Sequence, residues 1–190
     1  IAGLEFFSGI PGTIGGALAM NAGAYGADTA GVLVSAKAIN NRGEIATFTP
    51  DEIGYYYRGK HLSSEWIFLE ATFQGRQGNS ESVLAAIAEI QAKREQTQPI
   101  RERTSGSTFK NPDGHRAWEL IDKAGCRAMR IGGAMVSEMH CNFFLNTGDA
   151  TSADIENLIT EVQNRVHEQS AIWLETEIKI IGLPGPVASR

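Results

Sequence analysis

Apolar and polar residues follow two rhythms along this chain, one of period two and one of helical period, and together they predict its elements. Val32, Val34, Ala36 and Ala38 fall at period two, so 32–40 reads as a strand; Asn41-Arg42-Gly43 turns the chain and Glu44 to Phe48 returns it as a hairpin. Thr49-Pro50-Asp51-Glu52 offers a capping hydroxyl, a proline at the first helical position and a carboxylate three residues on, which predicts a short helix. Trp66 to Phe73 is apolar on both faces and predicts a buried strand. From Ser80 to Gln96, Val83, Leu84, Ile87 and Ile90 stand at helical spacing, with Glu81, Glu89, Lys93 and Arg94 opposite, so a packed amphipathic helix is expected, stopped by Pro99.

The polar, charged crossing from Ile100 to Ser105 reads as a domain boundary. Beyond it, Arg116 to Ala124 predicts a helix ended by Gly125, and Cys141 to Asn146 a strand. Thr151 and Asp154 form a capping box before the clearest helical stripe of the chain, Ile155, Leu158, Ile159, Val162 and Val166. Trp173 to Ile181 alternates, with Leu174, Thr176, Ile178 and Ile180 on one face and Glu175, Glu177 and Lys179 on the other, and predicts a last strand. The expected class is α+β in two parts: 1–100, a mixed sheet with helices, and 101–190, a smaller α+β domain.

Composition narrows the function classes. In 190 residues, a net charge of −5 argues against a nucleic-acid backbone as main partner. No apolar run approaches the roughly 18 residues of a membrane span and no secretory leader is visible, so the cytoplasm is the default. Cys126 and Cys141 are too few for a disulfide scaffold. His61, His115, His140 and His167 lack metal-ligand spacing, so no metal is expected. His140 and Cys141 are adjacent, but neighbours on a strand point to opposite faces. The chain opens on Ile1 without an initiator Met, which reads as a piece of a longer polypeptide.

Three stretches carry candidate chemistry. GIPGTIGGALAMNAGAYG, from Gly9 to Gly26, reads as a glycine-rich loop that lets backbone approach a flat or phosphorylated ligand; it is neither a Walker loop nor a dinucleotide fingerprint, and it reads equally as a tight turn packed on a sheet. Gly106-Ser107-Thr108-Phe109-Lys110-Asn111-Pro112 reads as a turn carrying a hydroxyl, an ammonium and an amide. Ser107 has no nucleophile elbow; it is either a turn serine bonding its own backbone or a proton donor to a strongly basic carbon. Arg58, after Tyr55, Tyr56 and Tyr57, offers a planar fork for a carboxylate, or is a surface arginine stacked on a tyrosine. Glu177 lies on a polar face where most glutamates are simply solvated.

In this order, GIPGTIGGALAMNAGAYG, YYYR, GSTFKNP and LETEIKIIG closely resemble the UDP-N-acetylenolpyruvoylglucosamine reductase (MurB) family of peptidoglycan precursor synthesis, from about Gly3 to Gly182. The resemblance implies the second FAD-binding subdomain followed by a substrate-binding domain, without the amino-terminal FAD subdomain, so the fragment alone is expected to be inactive. It implies NADPH-dependent, FAD-mediated reduction of a UDP-sugar enolpyruvyl ether; it leaves oligomeric state open. Ser107 matches the serine that protonates the substrate carbon, and Arg58 and Glu177 match the residues that polarise the enolpyruvyl carboxylate. Tyr57, Lys110 and Asn111 match substrate-binding positions. Ile10, Pro11, Gly12, Thr13, Gly15, Gly16, Asn21, Gly23, Ala24 and Tyr25 would lie along the isoalloxazine ring.

Two departures bear on the site. Thr97-Gln98-Pro99 lacks the lysine many members carry there, which hands that phosphate contact to Arg94 or Arg101. Arg58 and Ser107 are 107 − 58 = 49 positions apart, the spacing of the subgroup without a tyrosine-bearing lid. Two rival readings stay open: another FAD oxidoreductase of the same fold, and a non-catalytic nucleotide-sugar binding module.

Overall fold

The computed structural model describes residues 1–182; the last eight positions of the expected substrate domain lie outside the described residues. The chain forms two compact units, Ile1–Arg94 and Glu95–Arg190.

In the first unit the glycine-rich stretch is not a loop throughout. A 3-10 turn at Glu5–Gly9 precedes α1 (Ile14–Met20), whose first turn is closed by the Thr13 side chain accepting from the Gly16 N–H at 3.1 Å. Ala17, Leu18 and Ala19 are enough helix former to carry the short run, and Asn21 ends it in the left-handed region at φ 43°. A small hairpin follows, β1 (Gly23–Ala24) and β2 (Ala27–Asp28), turned by Tyr25 and Gly26, both at positive φ as a two-residue hairpin turn requires. Next come α2 (Thr29–Val32), β3 (Leu33–Ile39), β4 (Ile45–Phe48) and α3 (Pro50–Ile53). The Thr49–Glu52 capping box of α3 is present. A second small hairpin, β5 (Tyr55–Tyr56) and β6 (Gly59–Lys60), leads to β7 (Ile67–Phe73) and α4 (Ser80–Thr97).

The sheet order is β4-β3-β7. Every ladder among the described residues is antiparallel, so the sheet expected to be mixed is antiparallel here. One face packs with α1 and α3 around Leu18, Leu33, Ala36 and Ile53. The other leaves Ile45 and Ile67 exposed, and Leu69 bulges out of register with β3. The expectation of a strand buried on both faces is therefore corrected: β7 sits at the edge of a sheet that is covered on one side within this unit. Helix α4 is also corrected. It has no fully buried residue; Val83, Ile87 and Ile90 are half-buried while Leu84 points outward at 62% exposure. The apolar stripe is one residue wide per turn, too narrow to bury.

In the second unit β8 (Thr104–Ser107), α5 (Ala117–Lys123), β9 (Arg130–Ile131), β10 (Ala134–Val136), β11 (Phe143–Asn146) and α6 (Ser152–Ser170) build an antiparallel sheet, β8-β11-β10-β9, with helices. The Thr151–Asp154 capping box is formed, and α6 buries Leu158, Ile159, Val162 and Val166 in a cluster with Phe109, Ile121, Val136 and Phe144. Each such side chain contributes about 1.5–3 kcal/mol by leaving water. Two corrections belong here. Gly106 and Ser107 end strand β8 instead of forming a turn, Gly106 at φ 91° where the pairing with β11 shifts register. Trp173–Ile181 makes one isolated bridge, Phe109 with Thr176, then bends at Glu177 and Ile178, and forms no strand ladder among the described residues.

Candidate functional site

The Ser107–Lys110 segment is fixed from two sides within the second unit. On one side the Thr108 N–H donates to the Asn142 carbonyl at 2.7 Å. The Asn142 carboxamide then takes both polar groups of Phe109, its Oδ1 accepting from the Phe109 N–H at 2.9 Å and its Nδ2 donating to the Phe109 carbonyl at 2.8 Å. On the other side the Glu177 N–H donates to the Thr108 carbonyl at 2.8 Å and the Lys110 N–H to the Glu175 carbonyl at 2.9 Å. Phe109 is buried against Phe144, edge to face. The Thr108 side chain is fully buried and its hydroxyl has no hydrogen-bond partner, a cost of about 1–3 kcal/mol that nothing in the structure explains.

Ser107 and Glu177 are thereby brought to one neighbourhood: Glu177 bonds the backbone of the residue after Ser107. Both are half-buried. Lys110 has a protein partner, its Nζ lying 2.5 Å from Glu175 Oε1. Asn111 Oδ1 accepts from the Ala117 N–H at 2.9 Å and so satisfies the first turn of α5. Sequence reasoning missed Asn142. An asparagine among buried neighbours just before a strand is the available signal, but its partner is 33 positions away.

Arg58 belongs to the first unit. It occupies the second turn position of the β5–β6 hairpin at φ 58°, a left-handed backbone that costs an arginine about 1 kcal/mol or more. Its guanidinium lies 5.0 Å from the centre of the exposed Tyr57 ring, so the stacking foreseen from the sequence is present. The base of the hairpin is tied in by Asn21, whose Nδ2 donates to the Tyr56 carbonyl at 3.3 Å.

The positions expected to line a cofactor divide into two groups. Asn21 is buried, and it also bonds Asp28 and accepts from the Ala30 N–H, so its amide is committed to the protein. Gly23 is needed for packing: a Cβ there would lie 2.7 Å from the Asp28 Cβ and 2.8 Å from the Ala27 carbonyl oxygen. Ala24 is half-buried beside it in the hairpin, and Ile10 half-buried before α1. Pro11, Gly12, Thr13 and Gly16 are exposed, Gly15 is half-buried, and a Cβ at Gly12 would meet nothing within 4 Å. Tyr25 is exposed at the hairpin tip, its hydroxyl 3.5 Å from the Ile90 carbonyl of α4.

Both cysteines are free thiols buried in the second unit. Burial pushes the Cys141 thiol up to about 11 and raises that of Cys126, while burial also lowers His140. His140 lies in the turn before β11, its Nδ1 accepting from the Asn142 N–H at 3.3 Å. Among the described residues no cluster of three or more His, Cys, Asp or Glu could hold a metal, and no helix is long and apolar enough to cross a membrane.

Comparison with known proteins follows the same division. Residues 98–181 match the family model "UDP-N-acetylenolpyruvoylglucosamine reductase, C-terminal domain", and residues 1–49 match "FAD binding domain". Proteins named UDP-N-acetylenolpyruvoylglucosamine reductase from Anaplasma marginale and Parvibaculum lavamentivorans are 56% and 57% identical over 96% of the chain. The chain spans 61% and 59% of those relatives' own lengths. The crystal structure of the Thermus caldophilus reductase (MurB) superposes with a TM-score of 0.83 at 34% identity, covering 94% of this chain and 64% of that one. This chain belongs to the MurB family of UDP-N-acetylenolpyruvoylglucosamine reductases and matches the carboxyl-terminal part of its members.

Proposed function

We propose that the protein carrying this chain catalyses NADPH-dependent reduction of UDP-N-acetylglucosamine enolpyruvate to UDP-N-acetylmuramate, with FAD as resident cofactor and the cytoplasm as its compartment. Identity above one half to two such reductases supports the reading. The structural observation that supports it most directly is the Phe109–Thr176 bridge, which joins the backbone of the segment carrying Ser107 to that carrying Glu177. The largely exposed Pro11–Gly16 stretch, open beside Gly12, fits a flat cofactor, and Tyr25 lies exposed in the same unit.

FAD, when bound and reduced by NADPH, would supply the hydride that the enolpyruvyl methylene carbon takes up. The residues of this chain manage the charge that results. Negative charge develops on the adjacent carbon and its carboxylate, and the Arg58 fork neutralises it while a protonated Glu177 donates a hydrogen bond to it. Ser107 Oγ gives its proton to the carbon and regains one from solvent. Lys110 holds phosphate charge after exchanging Glu175 for it, Asn111 donates through its amide nitrogen, and Tyr57 borders the sugar nucleotide.

The test is an anaerobic two-step titration of the full-length protein. NADPH should bleach the flavin, and the enolpyruvyl nucleotide should restore its colour with one equivalent of UDP-N-acetylmuramate formed. Turnover of a different alcohol or amine, with this nucleotide inert, would make the protein another flavin oxidoreductase. Tight binding of the nucleotide without turnover would make it a binding module.

A further inference from the structure

We propose that Asn142 is the positioning residue of the site: its carboxamide stands in for a strand partner at Phe109 and thereby fixes where Ser107 and Lys110 present their side chains. The inference rests on the functional reading above. Strand β11 stops pairing with β8 in register at Phe143, opposite Ser107, so the backbone beyond has no ladder to join on that side. A carboxamide has the acceptor and donor of a peptide group on one rigid plane, and Asn142, 4% exposed, spends one of each on the two polar groups of Phe109. Its own carbonyl holds the Thr108 N–H. With the Glu175 and Glu177 backbone on the opposite side, every polar backbone group from the Thr108 N–H to the Lys110 N–H has a partner, and three of these five partners come from Asn142.

Ser107 lies one peptide from this clamp and Lys110 directly beyond it. A displacement of about 1 Å in a reacting group can cost on the order of 100-fold in rate. Asn142 touches neither substrate nor cofactor in this account; it acts through the segment it holds.

The experiment compares wild type, Asn142→Ala and Asn142→Asp in the full-length protein. Hydrogen exchange, read by mass spectrometry without ligand, should quicken about tenfold or more in peptides covering 107–110 of Asn142→Ala and stay unchanged in α6. Reduction of the flavin by NADPH should change less than about twofold, while the enolpyruvyl-dependent half-reaction slows by about 30- to 100-fold and nucleotide affinity, which depends in part on Lys110, falls less than the rate does. Asn142→Asp separates geometry from bulk. Ionised, the new carboxylate repels the Phe109 carbonyl; protonated, it offers one acceptor and one donor as the amide does, so the lost rate should return as pH falls, each value being referred to wild type at the same pH because His140 titrates nearby.

Faster exchange spread evenly over the second unit, or a local change that leaves the enolpyruvyl half-reaction at wild-type rate, would overturn the proposal, as would an Asn142→Asp variant with no recovery at low pH. A wild-type protein that binds flavin but ignores the enolpyruvyl nucleotide would overturn the functional reading instead; the exchange result would then decide the clamp alone.

Discussion

The segment carrying Ser107 and the hairpin carrying Arg58 are held by opposite means. Around Phe109, each backbone group from the Thr108 N–H to the Lys110 N–H is bonded, two of the five bonds coming from the buried Asn142 side chain. At Arg58 the backbone makes a two-residue turn whose second position is left-handed, and the guanidinium rests, among its contacts, on the adjacent ring. The surrounding packing repeats the contrast. The second unit gathers fourteen buried residues into one cluster and the first unit four, so the hydroxyl rides on a stiff support and the guanidinium on a light one. A proton donor to carbon must be placed before the reaction, whereas a long flexible cation can settle on its charge after the ligand arrives.

The sharpest way to break this contrast is Ser107→Ala. The enolpyruvyl half-reaction of the full-length protein should slow by about 1,000-fold while flavin reduction by NADPH stays near wild type. Equal loss in both halves, seen by stopped-flow, would make Ser107 structural. Next in size is a paired comparison of helices. Leu158→Ala in α6 should lower stability by about 3 kcal/mol, because the side chain is wholly buried, and Leu84→Ala in α4 by less than about 0.5 kcal/mol. Urea denaturation reads both, and similar values would refute the difference in support.

Arg58→Gly should raise stability by about 0.5–1 kcal/mol, since relief of left-handed strain exceeds the freedom that glycine adds to the unfolded chain, while turnover of the ether falls by about 100-fold. A destabilised variant would show that the turn is not strained. The smallest expected effect is that of Cys141. Burial raises its thiol from 9.0 to about 11, so its contribution to stability is complete below about pH 9 and is lost as pH rises toward 11. The urea midpoint of wild type should therefore fall more between pH 8 and 11 than that of Cys141→Ala, and a thiol reagent should leave both cysteines untouched at pH 8 until the protein unfolds.

What the sequence made legible was local. Thr49 with Glu52 and Thr151 with Asp154 carry their capping bonds within four residues, and both boxes are present. The β3–β4 hairpin follows from alternation around Asn41-Arg42-Gly43, and α6 from its stripe. What failed depended on partners far along the chain. Trp173–Ile181 alternates like a strand, but among the described residues its pairing is confined to the backbone of Thr108–Lys110 and amounts to a single bridge. β7 reads as doubly buried because nothing in its own residues tells how many layers cover the sheet. The helix α1 was hidden by its glycines, and β9 and β10 by their brevity around Gly132-Gly133. For the site, the motifs around Arg58, Ser107 and Glu177 were legible as family resemblance; the hold of Asn142 on Phe109 was not, being a match of shapes across 33 positions.

Phe109 gives the segment a last property. Its benzene ring fills a dry socket while an ammonium and a hydroxyl sit one and two places away on either hand. A slip of a single residue would drive one of those neighbours into the socket and leave the ring in water, so the chain has no near-miss alignment to fall into. Changes at positions 107 and 110 should therefore alter the chemistry the segment carries without shifting its alignment, so long as this pin is left in its hole.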